Sequence, residues 1–426
     1  MEDNEQQSDQ LKERDHKKLG PELELFYIDP VVGKGLPMFL PKGAIIKREL
    51  ESFIIKEETK RGYLHVHTPD LAKLELYIKS GHYPHYKDSM YAPIQIDDEQ
   101  FMLRPMTCPH HFQMFLSRPH SYRESPMRIA ELAQLYRYEQ SGELMGLQRV
   151  RTFCLADSHI ICASEEQAIE EINGALDLIE YVASVFGLAY GVDYRYRLSL
   201  GDRTNTEKYY KNDAAWEKGE DLLRALLVRR GAEFFEAKDE AAFYGPKVDI
   251  QMKNVNGKED TAFTVQYDFC LPERFDLTYV GEDGKDHRAF VVHRSSIGAI
   301  ERIMAFLIEH YAGAFPLWLS PVQAKVLPIA DAHHAFASEV YDQLKAAGIR
   351  AEVDLSSESL GKKIRAAKLE KIPYTLVIGD AEVASGTATL ESRDLAAKQP
   401  DTKGKIGQLA IADIVAKLTE EITTRG

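Results

Sequence analysis

The chain has 426 residues, with 53 Lys+Arg against 67 Asp+Glu and a formal net charge of −14. That length is enough for two or three domains with large cores. No apolar run approaches the roughly 20 residues needed to span a bilayer, so a membrane protein is excluded, and the polar start from Met1 is no signal peptide. Four scattered cysteines (Cys108, Cys154, Cys162, Cys270) form no CxxC, which points to reduced thiols and a cytoplasmic location. The acidic total argues against nucleic acid unless the basic residues are gathered locally, because phosphate contacts need Lys and Arg.

In chain order, residues 1–20 are polar and aperiodic and read as a mobile lead-in. Ile45, Ile46, Leu50, Phe53 and Ile54 recur at helical spacing and predict a helix from Pro41 to about Arg61, closed by Gly62. Tyr91–Ile96, Met127–Tyr138, Val150–Ile161, Val248–Lys253 and Thr261–Phe269 read as strands, and Glu165–Phe186 as a long helix. Several strands are joined too closely for crossover helices, so residues 21–316 are expected to form an α+β domain on an antiparallel sheet. Tyr311–Pro321, with a glycine and two prolines, reads as a junction. Beyond it, strands at Lys325–Ile329, Ala351–Leu355, Tyr374–Ile378 and Thr387–Leu390 alternate with helices at His333–Ala347, Leu360–Glu370 and Ile411–Ile422. That spacing predicts a small, doubly wound α/β domain over residues 317–426.

Charge divides the chain the same way, for nearly all of the excess acid lies before Leu317. Lys362, Lys363, Arg365, Lys368 and Lys371 cluster on one predicted helix. A solvated face is the simplest account of such a cluster; a phosphate-backbone contact is the functional one.

No GxxxxGK[ST] is present, so a P-loop is excluded, and Gly33-Lys-Gly-Leu-Pro has the wrong spacing for a dinucleotide fingerprint. The stretch Arg137–Phe153 reads as strand, glycine-containing loop, strand. Arg137 and Arg149 can clamp phosphate or carboxylate, Glu139 can accept from an exocyclic amine, and Phe153 can stack on a base. A hairpin with cross-strand ion pairs would show the same composition. Gly298-Ala-Ile-Glu-Arg302 opens a predicted helix after His293-Arg294, its glycine allowing close packing and its arginine leaving the first turn.

Together and in this order, these two stretches resemble motifs 2 and 3 of class II aminoacyl-tRNA synthetases. Further blocks, including Arg14-Asp-His-Lys-Lys-Leu-Gly20, Ser80-Gly-His-Tyr, Tyr86-Lys-Asp-Ser-Met90, Pro105-Met-Thr-Cys-Pro109, Ala242-Phe-Tyr-Gly-Pro-Lys247 and Thr264-Val-Gln-Tyr-Asp-Phe269, are similar to the threonyl-tRNA synthetase branch of that family. The resemblance implies an ATP-dependent ligation of L-threonine to tRNA(Thr) through threonyl-adenylate. It implies one Zn²⁺ per chain on Cys108, His159 and His293, and Mg²⁺ arriving with ATP. ATP would be held by Arg137, Glu139, Arg149, Phe153, Lys247 and Arg302, with Arg137 and Arg302 catalytic; threonine would be held by Asp157, Tyr244 and Gln266. It implies an anticodon-binding role for residues 317–426, with Arg393, Lys362 and Arg365 as contacts, and a homodimer built through residues 41–69. On sequence spacing alone, each of the three metal ligands would read as a core residue.

Departures from the family pattern are His110 in place of a glycine, Leu155-Ala156 in place of a polar pair, Thr261 in place of a glutamine, and Ala384 and Glu391. Because the blocks begin near Arg14, a form without the family's N-terminal editing domains is expected. The alternatives are a catalytically inactive synthetase-like paralogue that binds tRNA or nucleotide, and a prolyl or seryl enzyme.

Overall fold

The computed structural model describes residues 12–255 and 257–425, which divide into two compact units. One comprises Ile28–Pro37 and Glu51–Phe306; the other comprises Leu307 onward together with Met38–Leu50 and the described residues up to Tyr27.

The first unit is built on an eight-stranded sheet. Its spatial order is Phe234–Lys238, Tyr194–Leu200, Lys247–Lys253, Glu259–Asp268, Phe290–Ser295, Thr152–Cys162, Met127–Tyr136 and Leu64–His65. The inner neighbours all pair antiparallel, as expected; only the outermost pair at each edge is parallel. The longest ladder runs from Met127↔Ile161 to Tyr136↔Thr152. The helix Glu165–Val185 covers the sheet and buries Ala168, Ile172, Leu176, Ile179 and Val182, a stripe at helical spacing. Its first turn is closed by the Ser164 hydroxyl, which accepts from the Gln167 N–H at 3.1 Å. The Tyr194–Leu200 and Phe234–Lys238 strands and the Asp213–Arg229 helix were not foreseen from the sequence. Tyr194–Leu200 nevertheless alternates apolar and polar residues strictly, a strand signal that the sequence carries.

The second unit carries a five-stranded sheet in the order Ala351–Val353, Ala324–Pro328, Tyr374–Ile378, Thr387–Ser392, Lys405–Ala410. The α/β expectation holds for the first three strands, which are parallel, but the last two pair antiparallel. The sheet is therefore mixed, an antiparallel pair of strands continuing the parallel three. Val326, Leu376 and Leu390 form its core with Val340 and Leu344 of the His334–Ala346 helix and Ile414 and Leu418 of Ile411–Thr424.

The expected mobile lead-in is corrected in part. Residues 1–11 lie outside the described residues, but His16–Glu22 is a helix capped by Asp15, and buried His16 places Nδ1 2.6 Å from Glu309 Oε1. No helix among the described residues is long and apolar enough to cross a membrane. None of the four cysteines is in a disulfide.

Candidate active site

One face of the central strands opens into a cavity of about 470 Å³. Alternation along Thr152–Cys162 sends Phe153, Leu155, Asp157 and His159 to the same wall. The neighbouring strands add Thr264, Gln266 and His293, and the N-terminus of the Cys108–Phe115 helix adds Cys108.

His159 and His293 are direct partners across two adjacent antiparallel strands, their rings 4.5 Å apart. Candidate ligand atoms of Cys108, His159 and His293 all lie within 4.8 Å of one another, and all three residues are buried. Spacings of 51 and 134 residues are thus closed by strand pairing alone. One thiolate and two imidazoles form a donor set suited to zinc with one position left open, so the residues fit the ion the resemblance implies. Burial, with the charges of Asp157 and Asp268, pushes the Cys108 thiol well up, so its thiolate needs a cation beside it. Burial and the neighbouring His293 and His111 hold His159 well below the usual imidazole range, which keeps it in the neutral, ligating form. Asp157 lines the same cavity, with its carboxyl raised by burial. The Tyr244 ring stacks on His293 at 4.7 Å, and its hydroxyl donates to Gln266 Oε1.

The ATP-site candidates line the same cavity. The Arg137 guanidinium lies 5.1 Å from the Phe153 ring, and its Nε donates to the Pro105 carbonyl at 3.2 Å. Arg302 is locked by carbonyl acceptors, Gln148 O at 3.0 Å and Thr261 O at 2.7 Å. Burial, together with Arg137 and Arg149 nearby, lowers the Arg302 pKa: three cations face one space, a setting that favours a polyanion. Arg149 pairs with Glu139 at 2.8 Å and with Glu143 at 3.2 Å, the ion pairs of a simple hairpin. Lys247 is held 3.0 Å from buried Asp249, which also takes Arg197 at 2.9 Å.

Gly298 allows this arrangement. Its φ is +71°, and a Cβ there would stand 2.1 Å from the Ala262 carbonyl oxygen. Departures from the family pattern also fall on the cavity: Leu155 and Thr261 line it, and Thr261 Oγ1 accepts from Gln251 at 2.7 Å.

The three candidates in the second unit are not brought together in this way. Lys362 and Arg365 are exposed, Lys362 pairing with Glu358 at 2.7 Å. Arg393 is a strut: its guanidinium donates to the Lys371 carbonyl at 2.6 Å, to Phe315 O at 2.8 Å and to Asp394 at 2.7 Å. Lys363 leaves the expected basic face. It is buried, and its Nζ donates to the carbonyls of Pro328 at 3.1 Å and Asp354 at 2.9 Å.

Sequence reading did not single out the residues behind the cluster. His111, Glu131 and Asp268 are buried and hydrogen-bonded into it, and His82 lines the cavity with Nε2 3.7 Å from Cys108 Sγ. Only their place within motif blocks could have drawn attention to His82 and Asp268; His111 and Glu131 carried no such signal.

A family model described as the tRNA synthetase class II core domain (G, H, P, S and T) matches residues 91–311. The chain belongs to the class II tRNA synthetase family. An anticodon binding domain model matches residues 323–421 of this synthetase. A threonine–tRNA ligase from Geobacillus sp. (strain WCH70) is 48% identical over 417 residues, 98% of this chain and 63% of the relative. One from Anoxybacillus flavithermus is 52% identical over 375 residues, 88% of this chain and 58% of the relative. The synthetase chain thus spans less than two thirds of the length of these curated relatives. The solved RNA binding domain of threonyl-tRNA synthetase from Cryptosporidium parvum Iowa II superposes with a TM-score of 0.87 at 34% identity, covering 95% of this chain and 98% of that one.

Proposed function

We propose that this synthetase is a threonine–tRNA ligase that activates L-threonine with ATP and passes it to tRNA(Thr). The observation that carries the reading is one cavity lined both by the thiol–imidazole cluster and by Arg137, Arg149 and Arg302. In the first step the threonine carboxylate attacks the α-phosphorus of ATP, forming threonyl-adenylate and releasing pyrophosphate. In the second, a hydroxyl of the terminal ribose of tRNA attacks the adenylate carbonyl, forming the threonyl ester and releasing AMP. The arginines offset the charge that gathers on the phosphates, and Arg302 does so from a position fixed by main-chain carbonyls. Glu139 and Phe153 serve the base, and Lys247, aimed by Asp249, serves a phosphate. Magnesium accompanies ATP as part of the substrate.

Zinc on Cys108, His159 and His293 would supply an open position for the amine and hydroxyl of threonine. Asp157 accepts from that hydroxyl, while Tyr244 and Gln266 hold the remainder of the amino acid. A site built for a hydroxyl rejects the isostere lacking it by about 10⁴–10⁵, so valine is excluded; serine, short of one methyl, is separated by only about 1–3 kcal/mol. The intact arginine and metal-ligand sets favour this reading over the inactive paralogue, and the thiol–imidazole cluster with Asp157 favours threonine over proline or serine.

ATP–pyrophosphate exchange with each amino acid tests it. Threonine should drive exchange, serine measurably less, and valine and proline not at all. The variants C108S and H293A should lose zinc and threonine-dependent exchange together. Exchange with no amino acid, or full zinc content in both variants, defeats the proposal.

A further inference from the structure

Behind the metal-ligand cluster lie His111 and Glu131, both buried and neither lining the cavity. His159 Nδ1 is 2.8 Å from His111 Nδ1, and His111 Nε2 is 3.1 Å from Glu131 Oε2. The Glu131 carboxylate is pinned in turn. Oε1 accepts from the Thr68 N–H at 3.0 Å and from Arg104 Nη1 at 3.1 Å, and Oε2 accepts from the Thr68 hydroxyl at 2.8 Å.

Protons can be assigned along this chain by elimination. An ionised carboxylate only accepts, so His111 Nε2 must be the donor to Glu131. A neutral His111 has then spent its one proton, and its Nδ1 can only accept. The proton between the two imidazoles therefore sits on His159 Nδ1, which leaves Nε2 with its lone pair. His293 is treated the opposite way. Its Nε2 stands 2.7 Å from Asp268 Oδ2, a carboxylate whose other oxygen accepts from the N–H groups of Cys270 at 2.8 Å and Leu271 at 2.9 Å.

We propose that His111 and Glu131 are positioning residues, a buried relay that fixes His159 in its Nδ1–H tautomer and so presents Nε2 as its ligating nitrogen. Asp268 sets the complementary choice, leaving Nδ1 of His293. The two ligands, paired on neighbouring strands, thus offer unlike nitrogens, each selected from behind. The inference rests on the zinc reading above and deepens it.

Chelator competition on the full-length chain measures zinc affinity directly, without reference to activity. H111F keeps ring volume and leaves Glu131 bonded to Thr68 and Arg104, while E131Q removes the terminal charge. Each should bind zinc about 10–100-fold more weakly than the parent, with H111F remaining folded in the metal-free state. In the metal-free parent, the histidine ¹⁵N spectrum should show His159 protonated at Nδ1, with E131Q populating both tautomers. Parental zinc affinity in H111F, or an Nε2–H tautomer in the parent, would overturn the relay. A parent that binds no zinc would instead defeat the metal reading itself. If E131Q does not fold, H111F decides the matter.

Discussion

At the scale of single residues, the groups behind the thiol–imidazole cluster are buried and each is tied to a named neighbour. Glu131 shows the balance. Burial raises its carboxyl, yet hydrogen bonds from His111 and from the Thr68 N–H and hydroxyl, with the Arg104 charge, bring it from the ordinary 4.5 down to about 2. A carboxyl depressed by folding contributes stability above its unfolded value, and the contribution is lost as pH falls through the folded one. The contribution is on the order of 3 kcal/mol, fully present above about pH 5 and gone near pH 2. E131Q should therefore melt well below the parent at pH 7, and the gap should narrow as the pH is lowered toward 3. Thermal unfolding across that range measures it. A gap independent of pH would show that Glu131 contributes by shape and not by charge.

At the scale of elements, the decisive contact is the close approach of the Ile300–His310 helix start to the Glu259–Asp268 strand. Arg302 reaches the Thr261 carbonyl at 2.7 Å only because Gly298 passes over Ala262 without a side chain. G298A puts a methyl group on a backbone oxygen and a β-carbon at positive φ. We expect a loss of about 1–3 kcal/mol in denaturant unfolding, together with slower pyrophosphate exchange as Arg302 is displaced. Unchanged stability would mean that the strand yields freely. Much of this level was legible in advance. The Met127–Tyr136 and Thr152–Cys162 strands, the Pro41–Lys60 helix and the helix behind Ser164 all carry strong periodicity or clear end signals. The Tyr194–Leu200 strand carried its own signal, a strict alternation of Tyr194, Tyr196, Leu198 and Leu200 with Arg195, Arg197 and Ser199, and belongs with the legible elements. The antiparallel turn of the last two strands of the small sheet was hidden, since strand direction is set by how links pack, not by local composition.

At the scale of the whole molecule, the net charge of −14 says little about partners, because affinity for a polyanion depends on where cations gather. In the second unit the exposed basic face is narrower than its sequence suggests, for Lys363 turns inward and Arg393 is consumed by carbonyls. Lys362 and Arg365 remain outward. If they meet phosphates, the double variant K362A/R365A should bind tRNA(Thr) more weakly, with the log–log salt slope reduced by about 2. Threonine-dependent pyrophosphate exchange should be unchanged. An unaltered slope, read from binding titrations at several salt concentrations, would make this face merely solvated.

The division between chain and fold is now specific. Hydrophobic period and turn residues determined by themselves the antiparallel core and the change of pattern near Leu317, and short motif blocks marked the candidate arginines, because those features are local. Only tertiary structure decided that Cys108, His159 and His293 meet, since residues 51 and 134 positions apart are joined by strand register, which no local spacing encodes. It also decided which nitrogen each histidine keeps free and which lysine turns inward. Those are settled by the partners that burial places within hydrogen-bond reach.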